Sequence, residues 1–274
     1  MEPKTAAARS DVPFLACLWG IGGLYVLLIA ALVVADAAHT TPAHFWKALQ
    51  SPEIIYATKL SLITCTVTAI LSLWVAVPLG YVLSRHQFRG KVVLDAILDI
   101  PIVLPPLVIG LSLLIFFETT VFGKTLQSLF SRGITYELPS VVLAQFTVAA
   151  AFAVRTMRAT FEQMNPRQEQ VALTLGCSRS QAFWMVVLPD AKKGVLTAVT
   201  LAWARALGEF GPILVFSGAT RMRTEVLATT VFLELSVGNI QAAVAVSEVM
   251  ILMALLVLIV IRLYGMEKTL NRPL

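Results

Sequence analysis

The segment that decides the fold runs from Glu169 to Pro189 and reads EQVALTLGCSRSQAFWMVVLP. It is a polar stretch between two long apolar segments. Gly176 divides it into two helical halves, because glycine readily takes the left-handed backbone that ends a helix. Ser178 or Ser180 is placed to cap the second half, and Pro189 is expected to end it. The pattern predicts a compact wedge of two short helices; a helix lying on lipid headgroups is the alternative interpretation.

The surrounding composition is that of a membrane protein. Of the 274 residues, 58% are hydrophobic and only 14% are charged, which is too apolar for an ordinary soluble domain. A helix needs about 20 apolar residues to cross a bilayer, and in lipid the backbone is satisfied by helices or closed barrels. We therefore predict an all-α membrane protein with six transmembrane helices, at 14–35, 56–83, 92–117, 139–160, 194–217 and 242–264.

Lysine and arginine indicate the orientation of these helices. The basic residues concentrate in the segments that lie on the same side as the N-terminus, so both ends are expected in the cytoplasm. This divides the chain into a cytoplasmic tail (1–12), a transmembrane domain (13–265) and a second cytoplasmic tail (266–274). The net charge of +5 is then explained by the basic residues of the cytoplasmic segments. A nucleic-acid surface is disfavoured, because no platform of aromatic and basic residues appears.

Three prolines interrupt the third apolar segment: Pro101, Pro105 and Pro106. Proline removes an amide donor and kinks a helix, which lipid tolerates where neighbouring groups or water satisfy the freed carbonyls. A kink that shapes packing is one interpretation. A broken helix that lines a translocation path is the other, and three prolines within six residues favour it.

Charged residues also occur inside the fifth apolar segment. Arg205 and Glu209 are four residues apart on one helix face, so they can form an ion pair. Such a pair either locks the helix to its neighbours or forms a gate beside the path of the solute. Gly208 and Gly211 would permit a close helix approach at this point.

The sequence offers no site for a cofactor. Gly123-Lys124-Thr125 resembles the end of a phosphate-binding loop, but Glu118 stands where that motif needs its first glycine. Three scattered cysteines and three histidines show no metal-binding spacing. We therefore expect a chain that is not an enzyme, with no metal and no bound nucleotide of its own.

The wedge resembles the EAA loop of ABC importer permeases, in which an acidic-Ala-Ala triplet, a glycine and a downstream aliphatic-x-Leu-Pro recur at fixed spacing. Aligning on Gly176 places the triplet at residues 170–172, where Ala172 matches while Gln170 and Val171 depart. The adjacent Glu169 is the candidate for the acidic role. The downstream positions are filled by Val186, Leu188 and Pro189, and the whole coupling loop is expected at about 161–193.

Other stretches are similar to the sulfate and molybdate branch of that family: 78–90, 94–106 and 204–211. The stretch at 220–225 looks closest to the molybdate/tungstate branch. The resemblance covers about residues 54–265.

The resemblance implies a type I ABC importer permease (MetI-like) fold in the inner membrane. It also implies a second permease copy, ATPase subunits that carry ATP and Mg, and a periplasmic binding protein. The candidates for the pore or gate are Pro101, Pro105, Pro106, Arg205, Gly208, Glu209 and Gly211. Arg221 and Arg223 either attract an anion or dock the periplasmic partner, and their place in an outer loop favours docking. The implied cargo is a tetrahedral oxyanion, molybdate or tungstate first and sulfate or thiosulfate second. Phosphate or polyamine import remains an alternative, as does a proton-coupled carrier or channel that acts alone through carboxylates such as Glu209 or Glu248.

Overall fold

The structure, a computed structural model, describes residues 12–39 and 41–270. Of the predicted tails, residues 1–11 and 271–274 lie outside the described residues, whereas residues 266–270 continue the last helix. The described residues form helices joined by turns and contain no β-strand, which confirms the all-α prediction. The helices are α1 (Val12–His39), α2 (Pro42–Leu49), α3 (Pro52–Arg85), α4 (Lys91–Val103), α5 (Pro106–Thr119), α6 (Val121–Ser128), α7 (Leu138–Gln163), α8 (Arg167–Thr174), α9 (Arg179–Ala182), α10 (Leu188–Asp190), α11 (Lys192–Leu207), α12 (Gly211–Phe216), α13 (Leu227–Ser236) and α14 (Ile240–Leu270), with a π-helical turn at Phe183–Val187.

Four helical segments within the described ranges are long and apolar enough to cross a membrane: Phe14–Ala38, Pro52–Arg85, Leu138–Gln163 and Ile240–Ile261. The pair α4 and α5 makes a fifth if it is counted as one span, but its halves meet at 112°. Leu104 and Pro105 are extended at the bend. Two successive prolines explain it, since neither Pro105 nor Pro106 donates a helical hydrogen bond and each disfavours a helical residue before it. The predicted break in this segment is confirmed, whereas Pro101 lies inside α4 without ending it.

The single span predicted over 194–217 differs from the structure. It is divided between α11 and α12, and neither helix reaches the length of a membrane span. Helical dihedrals end at Gly208, and Pro212 lies in the first turn of α12. The buried carboxylate of Glu209 lies between the two helices. The charged side chain of Glu209 disfavours a continuous apolar helix at this point, and Pro212 is a residue that favours the first turn of a new helix.

The centre of the fold is the parallel pair α3 and α7, with α11 packed on both. A Cβ added at Gly80 would lie 2.9 Å from Cβ of Met157, so these two helices approach closely there. Small buried residues make this possible, as in many membrane helix pairs. They include Cys65, Ala69, Ala76, Ala149, Ala153, Ala198 and Ala202. This rigid core carries the wedge at one end, here called the loop end, and the connection between α12 and α13 at the opposite, far end.

Candidate functional site

The wedge between α7 and α11, here called the elbow loop (residues 164–191), has the predicted two-part shape. At the end of α8, Cys177 N donates to Ala172 O and Gly176 N to Leu173 O, both at 3.1 Å. Gly176 has φ +91, the left-handed conformation that such a helix end requires. Ser178 then caps α9 in a reciprocal pair with Gln181, at 3.2 Å and 2.8 Å. The predicted glycine turn is confirmed, and the cap is Ser178.

Glu169 anchors the elbow loop to the end of α3. Its carboxylate accepts a hydrogen bond from the hydroxyl of Tyr81 and lies 3.6 Å from Nε of Arg85. The Glu169 and Arg85 side chains are 14% and 15% exposed. Both terminal nitrogens of Arg85 also lie 3.4 Å from the carbonyl oxygen of Met164, where the elbow loop begins. The acidic residue singled out by the sequence is therefore the one that holds the loop against the helical core.

Aromatic packing adds to this anchor. The Tyr81 ring meets Phe161 edge-on at 5.7 Å and Phe183 edge-on at 4.9 Å, measured between ring centroids. Such pairs contribute about 0.5–1.5 kcal/mol beyond the area they bury. Tyr81 thereby joins α3, the end of α7 and the second half of the elbow loop. Sequence analysis missed this role, and the signal was a tyrosine one helical turn before Arg85.

The elbow loop also carries large apolar side chains that the described residues leave exposed. Val171 is 55% exposed, Leu175 80%, Trp184 64% and Met185 70%. Gln170 is exposed as well, whereas Ala172 is buried. Large apolar side chains grouped on one projecting element are typical of a protein contact surface or a membrane contact.

Pro189 does not end the helix, contrary to the prediction. It lies in the short helix α10, which follows the π-helical turn, and the direction changes only at Ala191. The wide turn explains this, because it moves the preceding carbonyls away from the proline ring that would otherwise clash with them. Val186 and Leu188 are partly buried.

The two broken segments contact each other inside the helical bundle. A Cβ added at Gly211 would lie 2.9 Å from Cβ of Pro106, and one added at Gly110 would lie 2.8 Å from Cα of Pro212. Gly208 has only ordinary contacts, at 3.9 Å and beyond. The structure thus brings the proline break of α4–α5 together with Gly211, and the close approach depends on Gly211 and Gly110.

Arg205 and Glu209 form the predicted ion pair beside this junction. The two side chains are 2.9 Å apart, with Glu209 1% exposed and Arg205 30% exposed. The Arg205 guanidinium also lies 5.6 Å from the centre of the Phe152 ring. Sequence analysis missed Gln145, which is buried and donates at 3.2 Å to the carbonyl oxygen of Ala206 in the last turn of α11. A lone glutamine in an apolar span was the available signal.

Two further ion pairs hold α4 against α7. Asp95 pairs with Arg158 and Asp99 with Arg155, each at 2.6 Å. Lys91 is four residues before Asp95 on the same helix, but it instead donates to the carbonyl oxygen of His86 at 3.4 Å.

At the far end, both arginines predicted to dock a partner are paired within the chain. Arg221 lies 2.6 Å from the nearly buried carboxylate of Glu234, and Arg223 donates to Glu137. The two arginine side chains remain 44% and 54% exposed. Glu225 is completely buried in the same connection, and this burial raises the pKa of its carboxyl. Within the described ranges, no three His, Cys, Asp or Glu side chains group in a way that could hold a metal ion.

The comparisons with known proteins agree with this geometry. The family described as "Binding-protein-dependent transport system inner membrane component" matches residues 76–266. The sulfate transport system permease protein CysT of Escherichia coli K12 is 30% identical over 92% of both chains. The molybdate/tungstate transport system permease protein WtpB of Pyrococcus abyssi is 38% identical over 62% of this chain and 63% of that protein. A probable molybdenum ABC transporter permease of Haloferax volcanii is 38% identical over 70% of this chain and 69% of that protein.

Solved structures share the fold. A chain of a bacterial alginate ABC transporter, in complex with an alginate-bound periplasmic protein, superposes with a TM-score of 0.71 at 18% identity and covers 93% of both chains. A chain of an amino acid ABC transporter gives a TM-score of 0.54, also at 18% identity, over 79% of this chain and 94% of that chain. At these identities the likeness concerns the architecture alone.

Proposed function

The chain belongs to the family of binding-protein-dependent transport system inner membrane components, and from this premise we propose that it is the permease subunit of an ATP-driven importer for a tetrahedral oxyanion. ATP and Mg would be held by separate ATPase subunits on the cytoplasmic side, at the loop end. A periplasmic binding protein would deliver the oxyanion to the far end, and a second copy of the permease would complete the pore.

The elbow loop is the observation that carries this proposal. It is anchored at its base, where Glu169 contacts Tyr81 and Arg85, and it exposes the apolar side chains of Val171 and Leu175. A loop that only connects two membrane helices needs neither property. Together they suit a lever that a partner protein grips and moves.

The structure also supports a route by which that movement would reach the membrane. The elbow loop leads at Ala191 directly into α11, and α11 ends beside the Arg205–Glu209 pair. A displacement of the loop would therefore tilt α11 and change the contact between Gly211 and Pro106. Rigid-body motion of this kind is an established way to alternate access to a central path.

We assign molybdate or tungstate as the first cargo and sulfate or thiosulfate as the second. The support is that relatives named for molybdate, tungstate or molybdenum are 38% identical over 169 and 193 residues. The sulfate relative is 30% identical over a longer stretch of 256 residues. Glu209 neutralises Arg205, so this junction offers the anion no unpaired cation. Selection is therefore assigned to the periplasmic binding protein, with Arg221 and Arg223 among its contacts.

The test is uptake by vesicles that contain this chain, its ATPase and its binding protein. Radiolabelled molybdate is expected to accumulate only with ATP, and unlabelled tungstate should compete better than sulfate. Vesicles without the ATPase subunits are the control. Accumulation in those vesicles would refute the proposal and support a carrier that acts alone. ATP-dependent uptake of phosphate or a polyamine instead of molybdate would support ATP-driven import but refute the assigned cargo.

A further inference from the structure

One face of α3 borders a long groove on the side where the elbow loop returns to the membrane. Along this face the lining residues recur every three or four positions, from Ile70 through Trp74 and Pro78 to Arg85. The groove consists of two chambers of about 640 and 630 Å³. Both chambers are lined by Pro78 of α3 and Phe183 of the elbow loop, so they adjoin.

The first, here called the tail chamber, is apolar except for one lysine. Its walls come from α3 on one side and from the elbow loop and α11 on the other. Trp74 and Trp184 line it and are 77% and 64% exposed. Lys192 provides the single charge. The lining residues are Ile70, Leu73, Trp74, Val77, Pro78, Phe183, Trp184, Leu188, Lys192 and Val195.

The second, here called the head chamber, is lined by several charged side chains with an excess of positive charge. Its charged lining residues are Arg85, Arg179 and Glu169, together with His86. Glu169 is already engaged by Arg85. Arg179 is exposed, and among the described residues no carboxylate forms a salt bridge with it. Arg179 is thus available to an anion that enters the head chamber.

The depth of the chambers matches one leaflet of a bilayer. At about 1.5 Å per residue, Pro78 and Ile70 lie roughly 10 and 22 Å along α3 from Arg85. One leaflet with its headgroup region is about 20–22 Å thick, so the tail chamber faces acyl chains when Arg85 is at the headgroup surface. Tryptophan and lysine, both present in its lining, are typical of the boundary between headgroups and hydrocarbon.

We propose that this groove binds an anionic phospholipid of the leaflet at the loop end. An acyl chain fills the tail chamber, and the phosphate headgroup lies in the head chamber beside Arg179, with Lys192 adding positive charge from the adjoining chamber. The placement in the cytoplasmic leaflet rests on the orientation in the proposed function; the binding itself does not. Since one wall of the groove belongs to the elbow loop, the lipid bridges that loop to α3. A free phosphate ion would leave the tail chamber unused.

The experiment is native mass spectrometry of the purified full-length chain with phosphatidylglycerol, and with phosphatidylcholine as the neutral comparison. A basic residue near an anionic lipid surface strengthens binding about fivefold. The double variant Arg179→Gln/Lys192→Gln is therefore expected to bind phosphatidylglycerol about 25-fold more weakly. Arg167→Gln/Lys193→Gln is the matched control, because it removes the same charge from residues that line neither chamber. The control should bind like the wild type.

A second variant tests the tail chamber. Val77→Trp fills the tail chamber and should abolish retention of the long-chain lipid. Binding of glycerol phosphate, which has no acyl chain, should remain unchanged. If Val77→Trp does not fold, the two charge variants decide the question. The proposal is overturned if the Arg179/Lys192 variant retains phosphatidylglycerol like the control, if phosphatidylcholine binds equally well, or if inorganic phosphate displaces the lipid at equal concentration. None of these results depends on uptake or on the ATPase, so failure of the proposed function would be seen separately.

Discussion

The anchor of the elbow loop gives a sharp prediction for Glu169→Gln. Glutamine keeps an oxygen that can accept from Tyr81, so the substitution removes mainly the charge that faces Arg85 at 3.6 Å. Exposed ion pairs contribute about 0.2–1 kcal/mol, and removal of one partner from a buried pair costs about 3–5 kcal/mol. With both side chains about 15% exposed, we expect a cost near 2 kcal/mol. That corresponds to an opening of the elbow loop that is about 30 times more frequent.

Hydrogen–deuterium exchange of the backbone amides in residues 167–190 measures this opening directly. Exchange in the Glu169→Gln variant should be about 30 times faster there and unchanged in α3 and α7. Glu162→Gln is the matched control. It removes the same kind of carboxylate from a pair with Arg158 at 2.8 Å, but Glu162 is 46% exposed. The control should change exchange no more than about twofold. Equal exchange rates in the two variants would refute the idea that Glu169 holds the loop.

Three further predictions concern single positions. Gly176→Val should destabilise the elbow loop by about 1–2 kcal/mol, because φ is +91 there, and should therefore reduce co-purification of the ATPase. The control is Gly22→Val in α1, where nothing lies within 4 Å, and it should leave co-purification unchanged. Gly211→Ala should lower the melting temperature in detergent, since the added Cβ would lie 2.9 Å from Pro106. In the control Gly208→Ala the added Cβ meets nothing closer than 3.9 Å, so the melting temperature should stay the same. Burial raises the pKa of Glu225, so the folded protein holds its proton more tightly than the unfolded chain does, and stability should fall as the pH rises above about 4. Glu225→Gln should flatten that dependence in a thermal unfolding series, and an unchanged slope would contradict the assignment.

The sequence predicted those features that depend on neighbouring residues. The turn at Gly176 and the cap at Ser178 are settled within a few positions, because the side chain or the missing side chain acts on its own stretch of backbone. The same holds for the break at Pro105 and Pro106, and for the pairing of Arg205 with Glu209 one helical turn away.

Features that depend on distant residues were not accessible in this way. Asp95 has Lys91 one helical turn away on the same helix, but it pairs with Arg158, 63 positions later. Tyr81 reaches Glu169 across 88 positions. Which helix faces which is decided by packing of the whole bundle. The prediction that Pro189 ends a helix is wrong for a different reason. The π-helical turn directly before Pro189 moves the preceding carbonyls away from the proline ring, so the helical backbone continues.

The position of α11 links the two halves of the proposed mechanism. Its 16 residues span about 24 Å, with the elbow loop at its start and the Gly208 break at its end. Small buried side chains along α11, such as Ala198 and Ala202, pack in the same core cluster as residues of α3 and α7. Contacts between small side chains allow a helix to tilt with little rearrangement, whereas interdigitated large ones would resist. Towards its end α11 buries Trp203 and Leu207 in the same cluster, and its last turn accepts the Gln145 hydrogen bond at Ala206. A force on the elbow loop therefore acts on the start of α11 while its last turn is held. We infer that the Gln145 hydrogen bond is the pivot, so Gln145→Leu should uncouple ATP hydrolysis from uptake while the ATPase stays bound.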